Sequence, residues 1–215
     1  MIKVASSVLA ADFTKLGEEI KSVGKSDYLH FDVMDGTFVP NISFGIPVLR
    51  SVRKATKMTL DVHLMITTPS RFIAKFAEAG ADIITFHVEA EEQENIIKTI
   101  DHIHKMGKKA GLSISPATPV KAVLPYIELL DMVLVMTVEP GYGGQRFIRK
   151  TLPKISLLRG VIDGRGINCD LEVDGGINLK TAKLCVNAGA NVLVAGVDIF
   201  NSADRSAKIE KLRNV

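Results

Sequence analysis

The chain has 215 residues, 47% of them hydrophobic and 24% charged, a balance typical of a folded protein rather than a disordered one. Its formal net charge is only +3, with lysines and arginines spread along the whole length and no tryptophan. Nucleic-acid binding requires a clustered basic face with aromatic side chains for stacking, so we expect no nucleic-acid partner. No apolar run approaches the roughly 20 residues that span a bilayer, so we expect no membrane partner either.

The first residues run directly into a strand-like segment, without the long apolar stretch of a signal peptide. The two cysteines, Cys169 and Cys185, match no metal-ligand spacing, and we interpret them as free thiols in a reducing compartment. These features predict a cytoplasmic protein.

Short apolar strands alternate with amphipathic helices along the chain. Eight segments are apolar and often β-branched, as expected for parallel strands covered on both faces: Val4–Val8, Tyr28–Val33, Thr59–Met65, Ile83–His87, Lys109–Ile114, Met132–Val138, Leu171–Val173 and Val192–Ala195. Helical patterns, several with a capping side chain, proline or glycine at an end, separate them: Lys15–Val23, Pro47–Lys54, Ser70–Ala79, Glu91–Met106, Val120–Ile127, Arg149–Val161, Asn178–Ala188 and Asn201–Leu212.

Eight strands and eight helices in strict alternation favour an α/β fold of one domain, residues 1–215, closed into a (β/α)₈ TIM barrel. A doubly wound open sheet is the alternative. No Pro/Ser-rich linker or block of like charges interrupts the series. In a barrel, the active site lies at the C-terminal ends of the strands, so polar side chains at those ends are the candidate site residues.

The second strand ends in three side chains that share one face, because side chains alternate across a strand. They are His30, Asp32 and Met34. An imidazole and a carboxylate two residues apart offer nitrogen and oxygen ligands together, which is typical of a transition-metal site. A buried hydrogen bond between His30 and Asp32 is the alternative explanation.

The third strand repeats this pattern with Asp61, His63 and Met65 on one face. His63 would bring a second imidazole to the same end of the barrel, and Asp61, deeper in the strand, is placed to orient an imidazole. At the end of the fourth strand, His87 is followed by Glu89, and we interpret His87 as a supporting or structural residue rather than a metal ligand. The two strands together favour a metal site.

Glycine-rich loops follow the sixth, seventh and eighth strands, and Asp174 ends the seventh. Loops of this kind expose backbone amides to an anion, and the loops after strands seven and eight are the usual phosphate site of such barrels. The sequence therefore predicts a phosphate site formed by Gly141, Tyr142, Gly143, Gly144, Gly175, Gly176 and Gly196.

Five motifs span almost the full length of the chain. Two are short, SVLAADF at 7–13 and DVHLM at 61–65. Three are longer and specific: HFDVMDGTFVPN at 30–41, MTVEPGYGGQRF at 136–147 and EVDGGIN at 172–178. Taken together in this order, they resemble the motifs of the ribulose-phosphate 3-epimerase family.

The resemblance implies one divalent metal ion per chain, held by His30, Asp32, His63 and Asp174. It favours Fe²⁺ or Zn²⁺, while the ligand types also suit Mn²⁺ or Co²⁺. It implies that Asp32 and Asp174 transfer the protons as well. It places substrate contacts on Ser7 and His63, and phosphate contacts on the amides of Gly141–Gly144, Gly175, Gly176, Gly196 and Val197.

The implied reaction is epimerisation at C3 of D-ribulose 5-phosphate to D-xylulose 5-phosphate, in the pentose phosphate pathway, through an enediolate that the metal stabilises. Met34, Met65 and Met136 would offer this intermediate a lining without exchangeable protons, although core packing also explains a methionine. The substrate partner is then a small phosphorylated ketose, and the family suggests a homo-oligomer.

Three alternatives remain open from the sequence. The first is a 3-epimerase of a ketohexose 6-phosphate such as D-allulose 6-phosphate. The second is a Schiff-base lyase, which would need a desolvated lysine at a strand end; Lys108 and Lys109 instead begin the fifth strand. The third is a non-catalytic phosphate- or metal-binding protein.

The chain departs from the family at two places. The first strand reads Ser6-Ser7 where the family usually has Pro-Ser. The eighth is followed by Gly196-Val197-Asp198 where the family usually has Gly-Ser-Ala. Val197 keeps the amide but lacks the hydroxyl, and Asp198 adds a negative charge that would weaken phosphate binding unless it points away.

Overall fold

Eight parallel strands form a closed barrel in the computed structural model, which describes residues 1–215. Each strand pairs with the next along the chain, and the first pairs with the last. Their bounds are β1 Lys3–Ser7, β2 Tyr28–Met34, β3 Thr59–Met65, β4 Ile83–His87, β5 Lys109–Ile114, β6 Met132–Met136, β7 Asp170–Asp174 and β8 Val192–Ala195. The predicted TIM barrel is therefore confirmed.

The barrel closes through four parallel pairs between β1 and β8, from Lys3 opposite Val192 to Ser6 opposite Ala195.

Four of the eight strands have the predicted bounds, and the others differ at their ends. β6 ends at Met136, two residues before the predicted end. The Thr137 amide still donates to the Asp174 carbonyl at 2.7 Å, but the Thr137 carbonyl accepts from the Ile148 amide at 2.8 Å and not from β7.

Eight α-helices surround the barrel: α1 Leu16–Ser22, α2 Ile46–Ala55, α3 Ile73–Ala79, α4 Gln93–Lys105, α5 Leu152–Arg165, α6 Leu179–Asn187, α7 Val197–Phe200 and α8 Arg205–Arg213. No helix combines the length and the apolar character that a bilayer crossing would require. α8 begins four residues after its predicted start, because the Asp204 side chain accepts a hydrogen bond from the Ala207 amide and caps the helix there.

The predicted helix Val120–Ile127 is wrong. This segment forms two 3₁₀ helices, Val120–Ala122 and Leu124–Leu129. Pro125 lies inside it, and a proline has no N–H to donate to the carbonyl four residues earlier and its ring clashes with that carbonyl. α7 is an additional short helix after β8, so the number of α-helices is still eight.

Two apolar clusters form the core, and the C-terminal end of the barrel interior is the part that neither of them fills. A cluster of 49 buried residues lies mainly between the strands and the surrounding helices. Inside the barrel, a second cluster fills mainly the N-terminal half of the strands: Ala5, Tyr28, Ile83, Met132, Val192 and Val194. Cys169 and Cys185 are buried free thiols, and burial raises the pKa of both to about 12.

We expect Gly111→Ala to destabilise the barrel. Gly111 lies opposite Thr85 in the pairing of β4 with β5, and an added Cβ would lie 2.2 Å from the Thr85 Oγ1 atom. Overpacking of this kind lowers the free energy of unfolding by about 1–3 kcal/mol, measurable by urea denaturation. Gly160→Ala is the control: it is in α5 with no heavy atom within 4 Å of the added methyl, and a gain of about 0.5–1 kcal/mol is expected. Equal stability of the two variants would contradict the prediction.

Candidate active site

The four predicted metal ligands meet at the C-terminal end of the barrel. His30, Asp32, His63 and Asp174 each offer one ligand atom, and these atoms all lie within 4.8 Å of one another. β7 reaches β2 only across β8 and β1, so this grouping depends on closure of the barrel. Both imidazoles are fully buried, whereas the side chain of Asp174 is 17% exposed.

Asp32 lies at the centre of this group. Its Oδ1 atom lies 3.2 Å from His30 Nε2 and 3.2 Å from His63 Nδ1, and its Oδ2 atom accepts a hydrogen bond from the Ser7 hydroxyl at 2.7 Å. Asp174 Oδ2 lies 3.9 Å from His30 Nε2 on the other side. Two imidazole nitrogens and two carboxylates form a donor set suited to Zn²⁺, Fe²⁺, Mn²⁺ or Co²⁺. The residues therefore fit a divalent metal ion.

Asp61 orients the first imidazole. Its Oδ2 atom lies 2.6 Å from His30 Nδ1, so the other ring nitrogen of His30, Nε2, faces Asp32 and Asp174. Metal-binding histidines usually have a carboxylate on the nitrogen that does not bind the metal, because this fixes the tautomer and the ring orientation. The position predicted for Asp61 is confirmed.

The two aspartates of the group differ in proton affinity. Burial alone would raise the pKa of Asp32, but His30 and His63 outweigh it and hold that pKa far below its usual range. Burial raises the pKa of Asp174 to about 7, and the negative charge of Asp32 adds to the effect. Burial alone would lower the pKa of His30, but Asp32 and Asp61 raise it well above the usual value. One aspartate is therefore ionised near neutral pH while the other retains a proton for much of the time.

Glu172 is a buried residue of β7 for which the sequence indicated no role. Neither of its carboxylate oxygens has a hydrogen-bond partner, and Oε1 lies 4.0 Å from His30 Nδ1. Burial, with a contribution from Asp61, raises its pKa well above the usual value, which favours the neutral acid at this position. The only sequence feature that suggested a role for Glu172 is its position two residues before Asp174, which puts both side chains on the inward face of the strand.

A cavity opens above the four ligands. The remaining predicted site residues line it together with Asp32 and Asp174: Ser7, Met34, Met65, Met136, Gly141, Tyr142, Gly143, Gly144, Gly175, Gly176, Gly196 and Val197. His30 and His63 lie below its surface. Seven further residues line the cavity without having been predicted as site residues: Leu9, Ala10, Val138, Glu139, Gln145, Ile177 and Val194.

The glycine loops after β6 and β7 pack against each other. A Cβ at Gly175 would lie 2.3 Å from Val138, and one at Gly176 would lie 2.7 Å from the Phe147 amide nitrogen. Both glycines have a positive φ, 118° and 65°, which disfavours any residue with a Cβ. Thr137 joins the same loops by donating its hydroxyl to the Gly175 carbonyl at 2.6 Å.

The loop after β6 is also tied to the loop after β2. Asn41 Nδ2 donates to the Gly141 carbonyl at 2.8 Å, and the Tyr142 hydroxyl donates to the Pro40 carbonyl. Gln145 holds the loop from within by donating to the Glu139 and Tyr142 carbonyls. This wall of the cavity is therefore fixed by side chains of the loops after β2 and β6.

Asp198 also lines the cavity, and it is paired. Its Oδ1 atom accepts from Lys208 Nζ of α8 at 3.2 Å, while its Oδ2 atom is buried without a partner. The side chains are 24% and 21% exposed. The charge of Asp198 is therefore largely balanced by a lysine ten residues away, a pairing that was not predicted from the sequence.

The model of the "Ribulose-phosphate 3 epimerase family" matches residues 3–200 of this chain. The ribulose-phosphate 3-epimerase of Bacillus subtilis (strain 168) is 49% identical to it, with 99% of each chain covered. The chain belongs to the ribulose-phosphate 3-epimerase family. The protein is thus an enzyme, an epimerase acting on carbohydrates, and the resemblance found in its motifs is confirmed.

Other members of the ribulose-phosphate 3-epimerase family are similarly close. The enzyme of that name from Synechocystis sp. is 46% identical, and the match covers 99% of this chain and 94% of the relative. Among solved structures, a 3-hexulose-6-phosphate synthase from Salmonella typhimurium has a TM-score of 0.72 at 18% identity over 99% and 97% of the two chains. A KGPDC from Streptococcus mutans has a TM-score of 0.72 at 13% identity over 100% and 96%. These distant structures share the barrel fold with this epimerase.

Proposed function

We propose that this epimerase inverts C3 of D-ribulose 5-phosphate to give D-xylulose 5-phosphate, with Asp32 and Asp174 transferring the protons. A divalent metal ion would be held by His30, Asp32, His63 and Asp174. The observation that supports this most strongly is a pair of aspartates beside one cavity with opposite pKa shifts. Such a pair supplies a base and an acid at the same pH.

The proton transfers balance without a co-reactant. The ionised carboxylate of Asp32 removes the proton from C3, and the electron pair of that C–H bond moves toward the C2 carbonyl to form an enediolate. The carboxylic acid of Asp174 then delivers its proton to C3 from the opposite face. β2 and β7 are separated by two strands, so the two side chains can approach the substrate from different sides. The reverse reaction exchanges the two roles.

When bound, the metal ion supplies Lewis-acid stabilisation of the negative charge on the substrate oxygens, typically several kcal/mol. The protein holds the ligand side chains ready for it. Asp61 fixes the orientation of His30, and Ser7 holds Asp32 through its second oxygen. We propose that Ser7 and His63 also contact the substrate, and that the three methionines Met34, Met65 and Met136 line the enediolate.

The phosphate group would bind the amides of the glycine loops at the other end of the cavity. These amides belong to Gly141–Gly144, Gly175, Gly176, Gly196 and Val197, all of which line the cavity. The close packing of the loops after β6 and β7 supports a preorganised site, because a fixed set of N–H donors does not have to be ordered when the anion binds. The homo-oligomer and the cytoplasmic location remain predictions.

A coupled assay of D-ribulose 5-phosphate conversion tests the proposal, with D-allulose 6-phosphate as the competing substrate. We expect a higher kcat/KM for the pentulose phosphate. Turnover of the hexulose phosphate alone would overturn the substrate assignment while leaving the site intact. Covalent trapping by borohydride in the presence of substrate would indicate a Schiff-base lyase and overturn the reaction type.

We expect metal affinity to rise with pH. In the metal-free protein Asp32 and Asp61 raise the pKa of His30 well above its usual value, so this imidazole binds a proton that the metal must displace from Nε2. Asp32 is already ionised and adds no dependence. Displacement of this one proton predicts a gain in affinity of up to about tenfold for each pH unit below the pKa of His30. Zinc titration calorimetry in buffers of different ionisation enthalpy would measure the gain and the protons released; an affinity independent of pH would contradict it.

We expect Lys208→Met to weaken substrate binding. The change leaves the Asp198 charge uncompensated beside the proposed phosphate site, at a partly exposed position where such an interaction is about 1 kcal/mol. KM should rise roughly fivefold with kcat nearly unchanged. The double variant Asp198→Asn/Lys208→Met should restore KM, because it removes both charges. A normal KM in Lys208→Met, or no recovery in the double variant, would show that the pair does not affect the phosphate.

A further inference from the structure

A row of hydrogen bonds leads from the proposed metal site to the loop after β4. His63 Nε2 lies 2.9 Å from His87 Nε2, and the two rings are stacked with centroids 5.0 Å apart. On its other side, His87 Nδ1 lies 3.1 Å from Glu89 Oε2. Both imidazoles are fully buried, so water does not replace either contact. The row connects an inner residue of β3 to a carboxylate near the surface.

Glu89 is held in a fixed position by the loop after β5. Its Oε1 atom accepts from the Ser115 amide at 2.8 Å and from the Thr118 hydroxyl. The same loop is held from the outside by Lys154 of α5, which donates to the carbonyls of Ser115, Pro116 and Thr118. Burial on its own would raise the pKa of Glu89, but hydrogen bonds from His87, Thr118 and Ser115 lower it to about 2. Glu89 is therefore an ionised acceptor.

When a cation binds His63, only one arrangement of ring protons allows every hydrogen bond of the row to form. The Nδ1 atom of His63 faces Asp32 and the other ligands, so it must have a free lone pair and the ring proton must be on Nε2. That N–H donates to His87 Nε2, which must then be bare. The proton of His87 is consequently on Nδ1, where the Glu89 carboxylate accepts it.

We propose that Glu89 is a positioning residue for the metal site, which through His87 keeps the proton of His63 on Nε2 and leaves Nδ1 free for the cation. The inference rests on the metal site of the proposed function. It extends to His63 what Asp61 does for His30, with a histidine inserted between the ligand and the carboxylate. Neither Glu89 nor His87 touches the cavity.

The isosteric variant Glu89→Gln tests the proposal because it should reverse the direction of every hydrogen bond in the row. The Ser115 amide and the Thr118 hydroxyl both donate to Glu89 Oε1. The glutamine would therefore place its carbonyl oxygen at that position and its NH₂ group toward His87. His87 Nδ1 would then have to accept, His87 Nε2 would have to bear the proton, and His63 would be driven to the Nδ1–H tautomer. That tautomer has no lone pair facing the other ligands.

Two measurements that do not depend on the substrate follow this change. Long-range ¹H–¹⁵N spectra of zinc-loaded wild-type protein should show His63 as the Nε2–H tautomer and His87 as the Nδ1–H tautomer. In metal-free Glu89→Gln both tautomers should be reversed, and zinc affinity, measured by competition with a chelating dye, should fall about 10–100-fold. A failure of the proposed function would appear instead in the assays of the two sugar phosphates.

Two controls separate this role from a structural one. Glu91→Gln removes a neighbouring carboxylate that binds the Ser70 amide rather than His87, and wild-type tautomers and zinc affinity are expected. Lys154→Met loosens the loop after β5 without touching either histidine, and zinc affinity is expected to stay within about threefold of wild type. Unchanged tautomers in Glu89→Gln would overturn the proposal. So would an equal loss of zinc affinity in Lys154→Met, because loop order would then explain the effect.

Discussion

Asp174→Asn is expected to lower kcat for epimerisation by at least about 10³-fold, because an amide neither donates nor accepts the proton and general acid–base catalysis contributes about 10²–10⁴. The variant retains Asp32, which can still remove the C3 proton of one epimer and return it to the same face. In D₂O we therefore expect deuterium to enter C3 of one epimer without inversion. The coupled assay measures kcat, and ¹H NMR of the sugar phosphate measures the exchange.

The control for this variant is Asp170→Asn, which changes the same residue type at the opposite end of β7. Asp170 is paired with Lys3 at 2.6 Å, far from the cavity, and wild-type kcat is expected. Because Asp174 is also a proposed ligand, bound metal must be measured in both variants and supplied in excess. Epimerisation by Asp174→Asn within tenfold of wild type would remove Asp174 from the mechanism. Exchange at C3 of both epimers would do the same.

Removal of the divalent metal ion is expected to lower kcat by about 10²-fold or more. Stabilisation of several kcal/mol is lost from the enediolate, and each 1.4 kcal/mol corresponds to a factor of ten in rate. Stripping with a chelator, followed by addition of Fe²⁺ without oxygen, Zn²⁺, Mn²⁺ or Co²⁺, would measure the loss and rank the ions that restore activity. Full activity in protein freed of metal would contradict the proposed site.

Two histidine variants would test where the metal binds. His30→Gln should lose the metal, because a fully buried ligand is removed from the group of four. His104→Gln should retain one ion per chain, although His104 also faces a carboxylate, Asp131 at 3.0 Å, on the surface of the protein. Equal metal contents in the two variants would place the ion elsewhere.

Features that depend on local periodicity could be predicted from the sequence. Alternation along β2 and β3 placed His30, Asp32, Asp61 and His63 on the inward face, and the structure has them there. The glycine loops were also recognisable, because a positive φ at Gly176 leaves few other residues possible. Eight alternating units predicted a closed barrel, and closure in turn predicted that these side chains and the glycine loops would lie around one cavity.

Features that depend on the shape of neighbouring elements could not be predicted. The periodicity of Val120–Ile127 suggested a helix, but the backbone restriction of Pro125 prevailed. The partner of Asp198 is Lys208, which reaches it only because α8 packs back on α7. The proximity of His63 Nε2 to His87 Nε2 depends on the register of β3 and β4 and on two side-chain rotamers, and strand periodicity specifies neither.

The pairing of β1 with β8 has a consequence for how the chain acquires its structure on the ribosome. Until β8 has been synthesised, β1 and the most recent strand each present an unpaired edge, and such edges are templates for aggregation. α8 then reinforces the junction from outside, through Arg205 with Glu19 at 3.0 Å and Arg213 with Asp27 at 2.9 Å. A nascent chain that ends before β8 therefore exposes two strand edges, whereas the completed ring exposes none.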